Sequence, residues 1–132
     1  MGDPTHSEAV TRGIRVEAQS FYVPARSSER DGLFFFSYQV RISNLGSESA
    51  QLISREWVIT DGNGQTQRVV GPGVVGEQPV LQPGASFEYQ SFCPLSTPVG
   101  SMHGCYHMVS AGGENFEATI APFTLAVPTA VN

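Results

Sequence analysis

Apolar residues recur at every second position along most of this chain, the spacing of a strand that buries one face. Ile14, Val16 and Ala18 fall on one side, and Arg15, Glu17 and Gln19 on the other. Phe34, Phe36, Tyr38, Val40 and Ile42 make a longer stripe of the same kind, and Ile53, Trp57 and Ile59 share a face in a third segment. Asp61-Gly62-Asn63-Gly64 then offers two adjacent hairpin signals, because Asp-Gly and Asn-Gly tolerate the left-handed backbone of tight turns. Thr66 to Val70 is the predicted returning strand. Beyond a glycine- and proline-rich stretch, Phe87 and Tyr89 alternate with Glu88. Further strands are predicted at about Ser101 to Val109 and Phe116 to Leu125, separated by a turn at Gly112-Gly113. Pro122 has no N–H for a ladder, which predicts an edge position or a bulge.

No stretch carries a helical period of useful length. About seven short strands with turns between them predict an all-β fold, an immunoglobulin-like or fibronectin-III-like β-sandwich. Trp57, on a middle strand, is expected in the core between the sheets. Cys93 and Cys105 both follow it instead of flanking it, so a fibronectin-III-like sandwich without a core disulfide is the better match.

Composition narrows the function classes. At 132 residues the chain suits one domain, placed at 13–132 behind a flexible tail at 1–12. Its 14% of charged residues is low while its 14 glycines and 9 prolines are many, which suits a turn-rich β protein and not disorder. All seven basic residues are arginine and the formal net charge is −5, so a nucleic-acid partner is not expected. No segment has the apolar length of a transmembrane helix, and the polar start at Met1-Gly2-Asp3 is not a signal peptide. Met-Gly hints at myristoylation, but His6 occupies the position that usually carries Ser or Thr. Two cysteines without a secretion signal are expected as reduced thiols, and the compartment as the cytoplasm.

Gly71-Pro72-Gly73-Val74-Val75-Gly76 spells G-x-G-x-x-G, the spacing of a dinucleotide-binding turn. That turn works by opening a helix whose N–H groups hold a pyrophosphate. Here Pro79 and Pro83 follow closely and leave no room for a packed helix. The glycines are expected to serve loop geometry, with a backbone anion nest as the alternative. Arg55 shares a face with Trp57, which aims a guanidinium toward the core. The expectation is that it stacks on Trp57 or pairs with a carboxylate or backbone carbonyls; the alternative is a rim contact to an anion or partner. Leu33 and Phe35 lie opposite the core stripe, and a cover from the Gly71–Gly84 loop is expected, with an exposed apolar patch as the alternative.

Metal and nucleophile chemistry find little purchase. His103, Cys105 and His107 share one strand face, but the outer two sit about 13 Å apart, so a site would need ligands from neighbouring strands. A half-exposed polar stripe without metal is expected. There is no G-x-S-x-G elbow, and Cys105 is about 6.6 Å from either histidine along the strand.

Five ordered blocks resemble one family, the ApaG domain. They are R-E-W-V-I-T-D-G-N-G from Arg55, G-P-G-V-V-G-E-Q-P from Gly71, L-Q-P-G-A-S-F-E-Y-Q-S from Leu81, T-P-V-G-S-M-H-G-C-Y-H-M from Thr97 and I-A-P-F-T-L-A-V-P from Ile120. The resemblance runs from about Gly13 to Asn132. It implies a fibronectin-III-like sandwich without established catalytic residues, found free-standing in bacteria and as a module in eukaryotic proteins. It also implies a link to cobalt and magnesium tolerance. The resulting expectation is a non-enzymatic interaction module with an unidentified protein partner, without a cofactor, and with a homo-oligomer possible. The second expectation is small-ligand binding, of a nucleotide polyphosphate or a divalent metal, through Gly71, Gly73 and Gly76 with Arg55 or Arg68 as phosphate contacts.

Overall fold

The structure is a computed structural model that describes residues 3–128; the Met-Gly start and residues 129–132 of the assigned domain lie outside it. The alternating stripes become two antiparallel sheets packed face to face. One contains β1 (His6–Thr11), β2 (Ile14–Tyr22), β3 (Phe34–Asn44) and β7 (Ser86–Leu95), in the order β1-β2-β3-β7. The other contains β4 (Ala50–Asp61), β5 (Thr66–Pro72), β8 (Val99–Ser110) and β9 (Asn115–Ala126), in the order β5-β4-β8-β9, and the two-residue β6 (Val80–Leu81) adds to β4. Two single 3-10 turns, Pro24–Arg26 and Glu29–Asp31, interrupt the β2–β3 connection. The sandwich is as expected, with β1 and β6 added to the seven predicted strands.

Val16 and Ala18 lie opposite Ile42 and Val40 across β2 and β3, and all four are buried. Trp57 is 2% exposed and is ringed by Tyr38, Phe123 and Tyr106, with centroids 5.2, 6.0 and 6.5 Å away. Edge-to-face packing of this kind adds about 0.5–1.5 kcal/mol per pair beyond burial. Buried Asn44 ties the sheets together: its Nδ2 donates to the Glu48 and Leu81 carbonyls, and its Oδ1 accepts from Gly46 N–H. Every polar atom of that side chain is thus satisfied, as burial requires.

Three expectations are corrected. Residues 6–11 are not tail: they form β1, paired with β2 along its whole length. Their inward positions Ser7 and Ala9 are small, so the segment lacks an apolar stripe. Ser7 Oγ instead donates to the Ala121 carbonyl at 2.7 Å, sewing β1 to β9. Ile53 does not share the face of Trp57. The β4–β8 register shifts between Leu52 and Ser54, so Ile53 is the extra residue of a bulge and lines a surface depression with His107 and Glu117. Third, the glycine-rich loop does not cover Phe35; Arg26, in the β2–β3 connection, lies over its ring. Pro122 meets its expectation twice, since β9 is an edge strand and its pairing with β8 slips between Met102 and Gly104.

Candidate functional site

The glycine segment begins as the end of β5, where Gly71 pairs with Arg55 of β4. Val74 and Glu77 then exchange both backbone hydrogen bonds, at 2.8 and 2.9 Å, and enclose a two-residue turn at Val75-Gly76. Both turn residues take positive φ, 43° and 82°, as a type I′ turn demands. Gly73 also sits at φ 60°, and a Cβ there would press far inside contact with the Glu77 carbonyl oxygen. Gly73 N–H donates to Ile53 O at 2.9 Å. The donors of Gly73, Val74 and Glu77 are therefore spent on the fold, which leaves no nest of convergent N–H groups across them.

Arg55 completes this arrangement from the β4 side. Its Nη1 donates to the Pro72 and Gly73 carbonyls, each at 2.9 Å, and its guanidinium lies against Gly71, where a Cβ would come within 3.1 Å of Nη2. The loop thus turns carbonyl oxygens toward a cation, the reverse of an anion cradle. Gly71, Gly73 and Arg55 come together as the sequence suggested, in the structural sense of that expectation. Arg55 also borders a recess of about 280 Å³ between the β5 and β7 edges, beside Tyr38, Trp57 and Cys93.

Arg68 does not join them. Its Nε and Nη2 reach Glu56 Oε2 and Oε1 at 3.1 and 3.0 Å, a bidentate pair. That hydrogen bonding holds the Glu56 carboxyl below its usual range. Nearby, Cys105 Sγ donates to Glu117 Oε2 at 3.2 Å. Partial burial first, then that bond and the charges of Glu117 and Glu56, push the Cys105 thiol up to about 12. Cys93 lies buried on β7, in the other sheet, and burial pushes its thiol up to about 11. Both thiols are free. Burial raises Tyr106 as well, and its hydroxyl shares a short hydrogen bond with Tyr89 in the core.

The outer face of the β1-β2-β3-β7 sheet holds a constellation of which the sequence pointed to Phe35 alone. Phe21, Ser37 and Phe92 form one row across β2, β3 and β7, with Phe21 44% and Phe92 49% exposed. Phe35 stacks near Phe92 at 5.5 Å, and the Arg26 guanidinium carbon lies 4.2 Å from the Phe35 centroid and 5.1 Å from that of Phe92. The next row is Gln19, Gln39 and Gln90, and the one after it Glu17, Arg41 and Glu88. A groove of about 390 Å³ runs over these polar rows. Parity was the available signal: Phe21 and Phe92 are out of phase with Ala18 and Tyr89, the buried positions of their own strands.

Among the described residues no helix is long and apolar enough to cross a membrane. A family model described as the ApaG domain matches residues 24–110. The chain is similar to a Protein ApaG of Anaeromyxobacter sp. (strain K), 57% identical over 126 residues, which cover 96% of this chain and 99% of that protein. A Protein ApaG of Bradyrhizobium sp. (strain ORS 278) is 54% identical over 91% of this chain and 92% of its own length. Among solved structures, an ApaA protein from Bordetella pertussis superposes with a TM-score of 0.86 at 51% identity, covering 87% of this chain and 94% of that one. The C-terminal domain of wzt shares the fold alone, with a TM-score of 0.55 at 9% identity, over 95% of this chain and 79% of that one.

Proposed function

The chain belongs to the ApaG domain family, and on that premise we propose that it is a non-catalytic protein-interaction module whose docking surface is the outer face of the β1-β2-β3-β7 sheet. The observation that carries this reading is the row of Phe21 and Phe92, about half exposed, with Arg26 laid over Phe35 and Phe92 beside it. Interfaces concentrate aromatic residues and arginine at their centre and polar groups at their rim. Here the aromatic row gives way to glutamines and then to alternating charges, the same gradient in three steps. The engagement of the glycine-loop donors and of Arg55 favours this reading over nucleotide binding at Gly71, Gly73 and Gly76, with Arg68 held by Glu56. The cytoplasm, where two free thiols persist, is the compartment we propose with it.

A photoreactive residue placed at Phe21 or Phe92 in the living cell tests the assignment. The same discrete adduct is expected from both positions and not from Val70, an exposed residue of β5 in the other sheet. Phe21→Ser with Phe92→Ser should lose that partner while keeping a wild-type melting curve. An adduct of twice the chain's mass would make the partner a second copy. Equal labelling from Val70, or a partner retained by the double variant, would count against the surface. Saturable magnesium-dependent ATP binding lost in Gly73→Ala would return the function to the loop.

A further inference from the structure

The outer face of the second sheet carries a different chemistry. Glu56 of β4 pairs directly with Cys105 of β8, and His107, two residues on, pairs with Glu117 of β9. The Glu56 carboxylate, the Cys105 sulfur and a His107 ring nitrogen each present a donor atom within 4.8 Å of the other two. His107 Nε2 stands 3.8 Å from Glu56 Oε1, and Glu117 Oε2 stands 3.2 Å from the sulfur. Around a tetrahedral ion with bonds of about 2.0–2.3 Å, neighbouring donors lie about 3.3–3.7 Å apart. The 3.8 Å between His107 and Glu56 lies close to that spacing, and the sulfur stands within 4.8 Å of both, a gap that side-chain rotation at the sheet surface can close. His103 stands opposite Val58 and lies outside the group. The stripe of His103, Cys105 and His107 is thus not the site; the cross-strand neighbours of its C-terminal half are.

Packing gives no reason for this set. The residues alternate with Trp57 and Tyr106, which fill the core from the opposite face, and a serine at Cys105 would serve the sheet equally. The electrostatics point outward: two carboxylates flank one thiol, and Arg68 supplies the adjacent permanent positive charge. We propose that Glu56, Cys105 and His107 bind a borderline divalent transition ion of the zinc class, with Glu117 beside the thiol as the group that takes its proton. A mixed sulfur, nitrogen and oxygen set selects such ions over magnesium and calcium, which demand oxygen. On binding, the S–H bond breaks, a metal–sulfur bond forms, and one proton leaves through Glu117 to water. Arg68 keeps its contact with Glu56 Oε2 while Oε1 turns to the metal. Three protein ligands leave one position open, the arrangement of exchangeable and catalytic sites as opposed to closed structural ones.

Titration of the tag-free, chelator-treated chain with cobalt(II) is the direct test, because a thiolate ligand adds a charge-transfer band in the near ultraviolet to the visible bands of the tetrahedral ion. One equivalent is expected to bind with both features and to be displaced by zinc, but not by millimolar magnesium. Cys105→Ser should abolish the thiolate band. Glu56→Gln and His107→Ala should each weaken binding about tenfold or more, Glu117→Gln should weaken it less, and His103→Ala should leave it unchanged. All are outer-face changes, and each is compared only after its melting curve matches the wild type. A thiolate band surviving Cys105→Ser, displacement by magnesium, or no saturable binding below millimolar cobalt would overturn the site.

Discussion

Arg55 and Glu56 are neighbours in the chain and serve opposite sides of one strand. On the inner side Arg55 clamps the glycine segment through two backbone carbonyls, and every partner in that arrangement comes from Ile53 to Glu77. On the outer side Glu56 meets Cys105, His107 and Arg68, drawn from two other strands. The first region has a motif that can be spelled along the sequence, and its polar groups satisfy one another. The second has no motif at all, and its polar groups pair side chain to side chain at the surface, Glu56 with Arg68 and Cys105 with Glu117, where an ion can displace a partner. Convergence of ligand-type side chains from separate strands is the better pointer to chemistry, and it is a property of strand register.

Both regions rest on Trp57, buried beneath β4. Trp57→Ala takes out the centre of the aromatic cluster beneath β4 and should destabilise the domain by about 3–5 kcal/mol in urea unfolding. A loss below about 1 kcal/mol would mean that the strand is held from outside. Gly73→Ala separates the regions: its positive φ and the pressing Glu77 carbonyl predict a loss of about 1 kcal/mol or more, with cobalt binding on the outer face intact in the fraction that folds. Phosphate affinity should not change, since none is expected; isothermal titration with ATP checks this.

A smaller effect sharpens the outer side. The raised Cys105 pKa keeps the proton on sulfur until the pH nears 12, so alkylation by iodoacetamide at pH 8 should be much slower than for an unfolded thiol. Glu117→Gln removes a negative charge and leaves a weaker, neutral acceptor beside the sulfur, which lowers that pKa and should speed the reaction at unchanged stability. An alkylation rate in the folded wild type equal to that of the denatured chain would contradict the placement of both carboxylates.

The sandwich was largely legible because period-2 burial is a local signal, and β2, β3, β8 and β9 lie close to where alternation put them. β1 was not legible, since an edge strand anchored by Ser7 and Ala9 carries no apolar stripe. Ile53 misled for another reason: parity carries across a strand only while no residue is inserted. Of the site residues, Gly73 and Gly76 take the positive φ that loop geometry asks for, and Arg55 holds backbone carbonyls, one of several partners the sequence left open for it. The aromatic row was half visible, through Phe35 but not Phe21 or Phe92. The Glu56–Cys105–His107 group was missed because two-residue spacing along β8 overstates the distance between side-chain tips, and the third donor comes from another strand.

The bulge at Ile53 has a further consequence. Its carbonyl accepts from both Gly73 N–H and Gln78 Nε2, at 2.9 and 2.8 Å, so the surplus residue is also the peg on which the loop hangs. Excising Ile53 would restore plain alternation from Leu52 through Arg55 to Trp57 and leave every other side chain on its present face. The sheet would close up one residue shorter, and the loop would lose its fastening. A single deletion should therefore yield a protein with native near-ultraviolet circular dichroism but rapid amide exchange at Val74 and Glu77, in which the sandwich and its loop have become separable parts.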